Sequence, residues 1–413
     1  KNYWPTKTKQ QNPDMKNKTK ILGLMAAGAL LGVGSASAED AQLLDTLVAN
    51  GFITEAQAES MKGSSDKDPV YVTPKRSDTK KLVIRGRAQF QFGYVSPSSD
   101  VDGAPTNDYS TFEIRRLRIG TQGELYQNLK FDFRMNVLPE GADLDTAKMV
   151  YTGIDGINIG VGKTKQVIGM EEATSSTDII TVERSYAANF FAAGKSVGMW
   201  ADGEAGPVGL VVGAFNGETT NDNPLDSDGD SHFAYNLRAG FDASDYLPDD
   251  ISAGIFFDTV QNHDNDSEDA YQFQDSYSIG AEVEIGAFGI MGNFLWGTLN
   301  EEEADVTAFV VMPWFYVTPK LQIVGQFDYI DSNTSDTIGV QSRYLGRAAI
   351  DDDKGDSDAD EGDYWQSWYL GANYYISGNN LKVMGGVAYS TLEDDGADQV
   401  EAVTVYGALR MRF

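Results

Sequence analysis

Cationic side chains cluster in four short stretches. Arg85 and Arg87 stand in LVIRGRAQFQFGY, Arg115 and Arg118 in FEIRRLRIG, Lys130 and Arg134 in NLKFDFRMNV, and Arg410 and Arg412 in VTVYGALRMRF. A guanidinium makes bidentate contacts with carboxylate or phosphate oxygens. Alternate residues of an extended chain share one face, so each stretch lines up its cations opposite a row of apolar side chains. Two uses are open. The rows could form a basic wall that handles anions, or they could pair with carboxylates such as Asp132 and Glu113 and stiffen a sheet. Arg116 is ambiguous, as is Arg118, because IRRLRI needs a bulge to keep Ile114, Leu117 and Ile119 on one face. Arg238, Lys148 and Lys382 fall on inner-face positions elsewhere.

A second group lies together in sequence. The stretch from Thr164 to Gly194 has Lys163 and Lys165 at its base, then Glu171, Glu172, Asp178, Glu183 and Arg184. Opposite charges facing each other across a narrow, low-dielectric passage set charge selectivity. The plainer alternative is a loop that only caps the structure.

Other chemistries find little support. His232 and His263 lie in acidic loop stretches, and no spacing suits a resident metal, so no catalytic residue and no enzyme is expected. A net charge of -30 argues against nucleic acid. The runs DSDGD (226–230) and DDDKGDSDADEGD (351–363) offer oxygen ligands that could loosely hold Ca2+ or Mg2+, but neither is a complete calcium loop, and a solvated acidic loop is the reading preferred. With no cysteine, stability must come from backbone pairing and packing.

The elements that position these residues begin after a leader. Met15 is followed by Lys16, Lys18 and Lys20, the apolar run ILGLMAAGALLGVG, and the small-residue site Ala36-Ser37-Ala38. This describes a secretory signal peptide over 15–38, preceded by upstream residues 1–14. Residues 39–81 read as a short helical extension and polar linker, with Thr54 and Gln57 as a capping box.

From Leu82 onward the hydrophobic period is two. Alternating segments near 82–95, 110–124, 127–138, 145–153, 156–163, 195–204, 206–216, 231–243, 249–260, 273–286, 287–299, 304–317, 319–331, 363–376, 380–391 and 400–413 number about sixteen. Tight links such as GIDG and GEAGP alternate with long acidic ones such as GETTNDNPLDSDGD and LEDDGADQ. Such a pattern is the signature of a transmembrane antiparallel β-barrel with short periplasmic turns and long outer loops. Residues 338–350 are placed in a long loop, with a hairpin arm as the alternative. The aromatic clusters MPWFYVTP, DYWQSWYLGANYYI and NFLWG are expected in the interfacial belt. Because an open sheet edge cannot face lipid, the last strand should pair with the first, bringing Arg410 and Arg412 beside Arg85 and Arg87.

Three stretches, FEIRRLRIGTQGELYQNLKFDF, INIGVGKTKQVIGMEEATSSTDIITVERS and KSVGMWADGEAGPVGLVVGAFNG, resemble the phosphate-selective porin family of the O and P type, as does the preface LLDTLVANGFITEAQ. The resemblance implies a homotrimer of sixteen-stranded barrels in a bacterial outer membrane, each with its own pore and an inward-folded third loop, here 164–194. It implies lipid and lipopolysaccharide as surroundings. The terminal Phe413 resembles the signal read by the barrel assembly machinery. Four carboxylates against one arginine in the loop depart from a dedicated phosphate channel. A general porin with a basic wall and an acidic constriction loop is therefore expected, with a phosphate or polyphosphate channel, or a plugged structural barrel, as alternatives.

Overall fold

The computed structural model describes residues 79–101, 104–138, 141–217, 233–263, 271–300, 304–340, 343–351 and 361–413. The expected leader at 15–38 and the helical extension lie outside the described residues, as does the acidic run 226–230. Strand β1 starts at Thr79, a little before the expected change of period.

The period-two segments become β1 (Thr79–Ser98), β2 (Tyr109–Leu125), β3 (Leu129–Leu138), β4 (Gly141–Ile154), β5 (Ile157–Lys165), β6 (Lys195–Ala205), β7 (Val208–Asn216), β8 (Phe233–Asp242), β9 (Ile251–Gln261), β10 (Phe273–Ile285), β11 (Phe288–Leu299), β12 (Asp305–Thr318), β13 (Leu321–Ser332), β14 (Ile338–Gly339), β15 (Glu361–Gly362), β16 (Tyr364–Ser377), β17 (Leu381–Asp394) and β18 (Ala397–Arg412). All but β14 and β15 form one closed antiparallel barrel of sixteen strands in which β18 returns to β1. The apolar row faces out: Phe90, Ile119, Val161, Leu210, Ile255, Ile323 and Val405 are all exposed. An apolar exterior around a polar lumen is what a bilayer demands of strands, since closure leaves no unpaired edge in lipid.

Closure sets the register at the seam. Arg412 lies opposite Arg87 and Arg410 opposite Gln89. Gly86 and Phe413 exchange backbone hydrogen bonds of 3.0 and 3.1 Å. The expected four-arginine patch is therefore shifted by one pair. Three of its members meet at the seam, while Arg85 lies beyond the chain end and turns to Asp132.

The required bulge is present in β2. Gln89 pairs with Arg116 and Phe90 with Ile114, so Arg115 is the extra residue. Ile114, Leu117 and Ile119 stay outward, and Arg115, Arg116 and Arg118 all turn inward.

Two expectations change. LEDDGADQ is no long loop: β17 and β18 run through it and join at Asp395–Gly396, with φ of 49° and 77°. Two successive positive φ values make the hairpin turn that asparagine, aspartate and glycine accept most readily. Second, the aromatic clusters divide by strand parity between belt and lumen. Phe315, Trp368 and Tyr374 face out, whereas Trp314, Trp365 and Tyr375 are buried inside.

The lumen contains its own core. The loop between β5 and β6, residues 166–194, carries α1 (Met170–Ala173) and α2 (Tyr186–Phe190). The loop between β13 and β16 holds the β14–β15 ladder and α3 (Leu345–Asp351), so residues 338–350 stay in a loop and do not span. Ile168, Ala187 and Phe191 from the first loop and Ile338, Tyr344 and Leu345 from the second pack against Val260, Phe273, Leu295, Val310, Ile330 and Trp365 of the wall. Phe191 stacks on Phe273 at 4.5 Å, an aromatic contact worth about 0.5–1.5 kcal/mol beyond its buried area.

Candidate functional site

The inward loop 166–194 is fastened along one side of the barrel by wall side chains that serve its backbone. Asn236 on β8 donates to the carbonyl of Val167 at 2.9 Å. Asp258 on β9 accepts from the amide of Gly169 at 3.0 Å, and Asn293 on β11 from that of Met170 at 2.8 Å. Asn373 on β16 donates to Ile180 at 2.6 Å, and Lys382 on β17 to Ile179 at 2.8 Å. At the seam, Arg410 donates to the carbonyls of Ser176, at 3.0 Å, and Val182. Every buried peptide group needs such a partner, and here the partners come from many strands. Asn373 and Lys382 are accordingly 0% exposed.

The loop's carboxylates turn into this packing. Glu171 is held by the Ser185 hydroxyl and by Gln326 at 3.0 Å. Glu172 pairs with Lys165 and with Arg184, the latter at 3.1 Å. Glu183 pairs with Arg115 at 2.7 Å, and Asp178 with Arg412 at 2.7 Å. None of the four forms an open acidic rim. Burial opposes the charge on Glu172, yet Arg184 and Lys165 outweigh it and bring its pKa down to about 2. A depressed carboxylate contributes stability above its ordinary value near 4.5 and loses it as pH falls toward about 2, so the clamp stays charged across neutral and mildly acidic pH.

The opposite wall, from β1 to β6, is more open and carries the cations. Arg118 approaches Asp145 at 2.9 Å, Arg134 approaches it at 3.9 Å, and Lys195 pairs with it too. Arg85 and Arg134 share Asp132. Side chains of Arg85, Arg118, Arg134, Lys195 and Lys165 are 16%, 18%, 19%, 22% and 26% exposed, against 2% for Arg238 on the covered side. Arg87 donates to the Ser176 hydroxyl at 2.7 Å and Arg116 to the Gln89 amide oxygen at 3.1 Å. Among the described contacts neither has a carboxylate within ion-pair distance. Lys148 lies 5.7 Å from the Trp200 ring centroid and bonds Thr164 at 3.4 Å.

The expected site residues thus fall into three sets. Arg85, Arg87, Arg115, Arg118, Arg134, Arg410 and Arg412 gather around the passage and its loop, with Arg410 fully under the loop. Lys130 is on the inner row near the turn side, opposite Glu124 and Val150 in the register. Lys163 departs from the base of the loop: it pairs with Ala147 and Val197, on the row of the exposed Val161 and Met199, so parity turns it from the lumen.

A second inward contact was missed. Tyr344 donates to Glu113 at 3.0 Å and accepts from Gln91 at 2.8 Å, while Arg343 and Arg347 reach Glu113 at 3.1 and 3.0 Å. A Cβ at Gly93 would overlap the Tyr344 ring. A glycine in the middle of an inner row is the sequence signal for such a close approach. Replacing Tyr344 by alanine removes two hydrogen bonds and a buried ring, about 3–5 kcal/mol of docking. Single-channel conductance should rise as this loop leaves the lumen; unchanged conductance would show that α3 does not narrow the passage.

Among the described residues no group of three or more His, Asp or Glu side chains converges to hold a metal.

The family model of phosphate-selective porin O and P matches residues 84–413. No curated protein matches the chain. Among solved structures, it is similar to an anion-selective porin from Comamonas acidovorans, at 13% identity over 80% of this chain and 99% of that one, with a TM-score of 0.54. It is also similar to OprB of Pseudomonas putida, at 10% identity, 80% and 94% coverage and a TM-score of 0.55. The outer membrane channel DcaP of Acinetobacter baumannii gives 12%, 83%, 100% and 0.51. At these identities the likeness establishes the barrel fold alone.

Proposed function

The chain belongs to the phosphate-selective porin O and P family and is an outer-membrane porin that passes small hydrophilic solutes by diffusion; from that premise we propose that its passage prefers anions. The observation that carries this reading is the imbalance at the open wall. Loop 166–194 turns its carboxylates into ion pairs and hydrogen bonds, whereas Arg87 and Arg116 are held by neutral groups, with no carboxylate within ion-pair distance among the described contacts. A confined cationic wall raises the local concentration of anions. The overall charge of -30 opposes this only where acidic outer loops meet bulk water, a charge that salt screens within about 10 Å.

Arginine forks suit phosphate oxygens, so a phosphate-selective channel is the second reading. Adding micromolar phosphate to a chloride current through single pores separates the two. A general anion pore is expected to show no saturating block, and a saturating block would favour the phosphate channel. In the same proposal the working unit is a homotrimer, exported by its cleaved leader and assembled through β18.

A further inference from the structure

Loop 166–194 does not fill all the space behind it. Between the loop and strands β13, β16, β17 and β18 lies a cavity of about 40 Å3. On that measure one water takes roughly 10–15 Å3, so about three would fit. The register explains the hollow. Asp328, Ser367, Ser390 and Ala402 lie side by side across the four strands, and the next inward row adds Ala388 and Thr404. With about 4.8 Å between strands, such short side chains leave a gap beneath Ser185 and Tyr186 of the loop.

The charges around this hollow do not balance. Glu172 has Arg184 and Lys165, and Glu183 has Arg115. Asp328 is buried and accepts from the Ala187 amide at 3.4 Å, with no cation within ion-pair distance among the described contacts. Glu171 is joined to the hollow through Gln326 and Ser185 and has neutral donors as well. They are the Ser185 amide at 3.2 Å, the Ser185 hydroxyl, and Gln326 at 3.0 Å. Arg184 borders the hollow, but it is engaged by Glu172 and by the carbonyls of Glu171 and Thr174, both at 2.8 Å.

A buried charge is paired, coordinated or neutralised, and the hollow supplies room for a partner. We propose that it holds a small monovalent cation, of the size of potassium or ammonium, between Asp328 and the hydroxyls of Ser367, Ser390 and Thr404. The lining selects that ligand. An anion would meet the Asp328 carboxylate, and a neutral solute would leave its charge uncompensated. A calcium ion gathers about six to eight oxygens, carboxylates among them, whereas one carboxylate with hydroxyls suits a single charge. The rings of Tyr186 and Trp365 complete the border, and aromatic faces attract cations. Asp328 also receives the first turn of α2 through Ala187, so the bound ion ties β13 to the loop. It lies behind the loop and away from the open wall, and the site stands whichever ion the passage prefers.

Two substitutions test it. Asp328→Asn keeps an acceptor for the Ala187 amide and removes the charge, while Ser390→Val fills the hollow and removes a hydroxyl. The full-length protein and both variants are unfolded with urea in lipid vesicles, in chloride salts of rubidium, ammonium or choline at equal ionic strength. Choline is too large for the hollow. A ligand of the folded state raises stability with the logarithm of its concentration above the binding constant. In the unsubstituted protein the midpoint is expected to climb as rubidium or ammonium replaces choline. In both variants it should ignore which cation is present. A rise with ammonium alone keeps the site and assigns it to cations with N–H donors. Equal midpoints in all three salts would overturn the site and leave a proton as the partner of Asp328. A response undiminished in either variant would place the cation elsewhere and overturn it too.

Discussion

Asp258→Ala is expected to be among the most damaging single substitutions in the barrel. Asp258 is fully buried, lies 2.7 Å from Arg238 and also accepts the amide of Gly169 at 3.0 Å. Both partners sit side by side in the register of β8 and β9, with the Arg238 guanidinium 4.9 Å from the Phe256 ring centroid. Removing one member of a buried pair costs about 3–5 kcal/mol, because the remaining charge loses its compensation in a dry setting. The Gly169 amide loses its acceptor at the same time, so the entry to loop 166–194 should loosen as well as the wall. Urea unfolding in lipid vesicles should show a markedly lower midpoint. The paired replacement Arg238→Met with Asp258→Leu should recover much of the loss, since apolar substitutes leave no charge behind. A single variant as stable as the parent would show that this pair does not hold the loop.

Arg87→Gln together with Arg116→Gln is expected to have the largest effect on permeation. Arg85 and Arg134 are the more obvious choices from the alternation, but both already face Asp132. Arg87 and Arg116 have no such direct carboxylate partner among the described contacts. An anion about 8 Å from one guanidinium gains roughly 2 kcal/mol at an effective dielectric near 20, before salt screening. Losing two such charges removes up to about 4 kcal/mol before screening, so chloride preference over potassium should fall by at least roughly tenfold in dilute salt. Glutamine retains donors for Ser176 and Gln89, so the loop should stay docked, and unchanged unfolding behaviour would confirm that the change is electrostatic.

Much of this architecture can be read from residue order because parity is a strong constraint. A barrel strand shifted by one residue would put Phe131 inside and Asp132 in lipid, so the alternation fixes which cations face the lumen. The bulge at Arg115 follows from the same rule, since no regular strand keeps Ile114 and Leu117 on one side. Four features were less legible, each for a physical reason. LEDDGADQ is acidic, which suggests a loop, but Asp395–Gly396 is also a hairpin turn, and two-residue turns leave no compositional trace beyond that pair. The docking of Tyr344 against Gly93 and Glu113 joins residues more than 200 positions apart, and periodicity carries no information about such contacts. The partners of Glu171, Glu172 and Asp178 depend on how loop 166–194 folds back, so the charges were visible while their burial was not. Lys163 is the remaining case. Its nearness to the loop in sequence suggested a role there, and strand parity places it on the outer row.

The central claim is that the open wall, and not the acidic exterior, decides which ions pass. Zero-current potential across a planar bilayer under a steep KCl gradient tests it most directly. The unsubstituted pore should give a potential with the sign of the chloride gradient, and the Arg87→Gln, Arg116→Gln pore should move toward zero. A potential with the sign of potassium in the unsubstituted pore, unmoved by the two substitutions, would contradict the account.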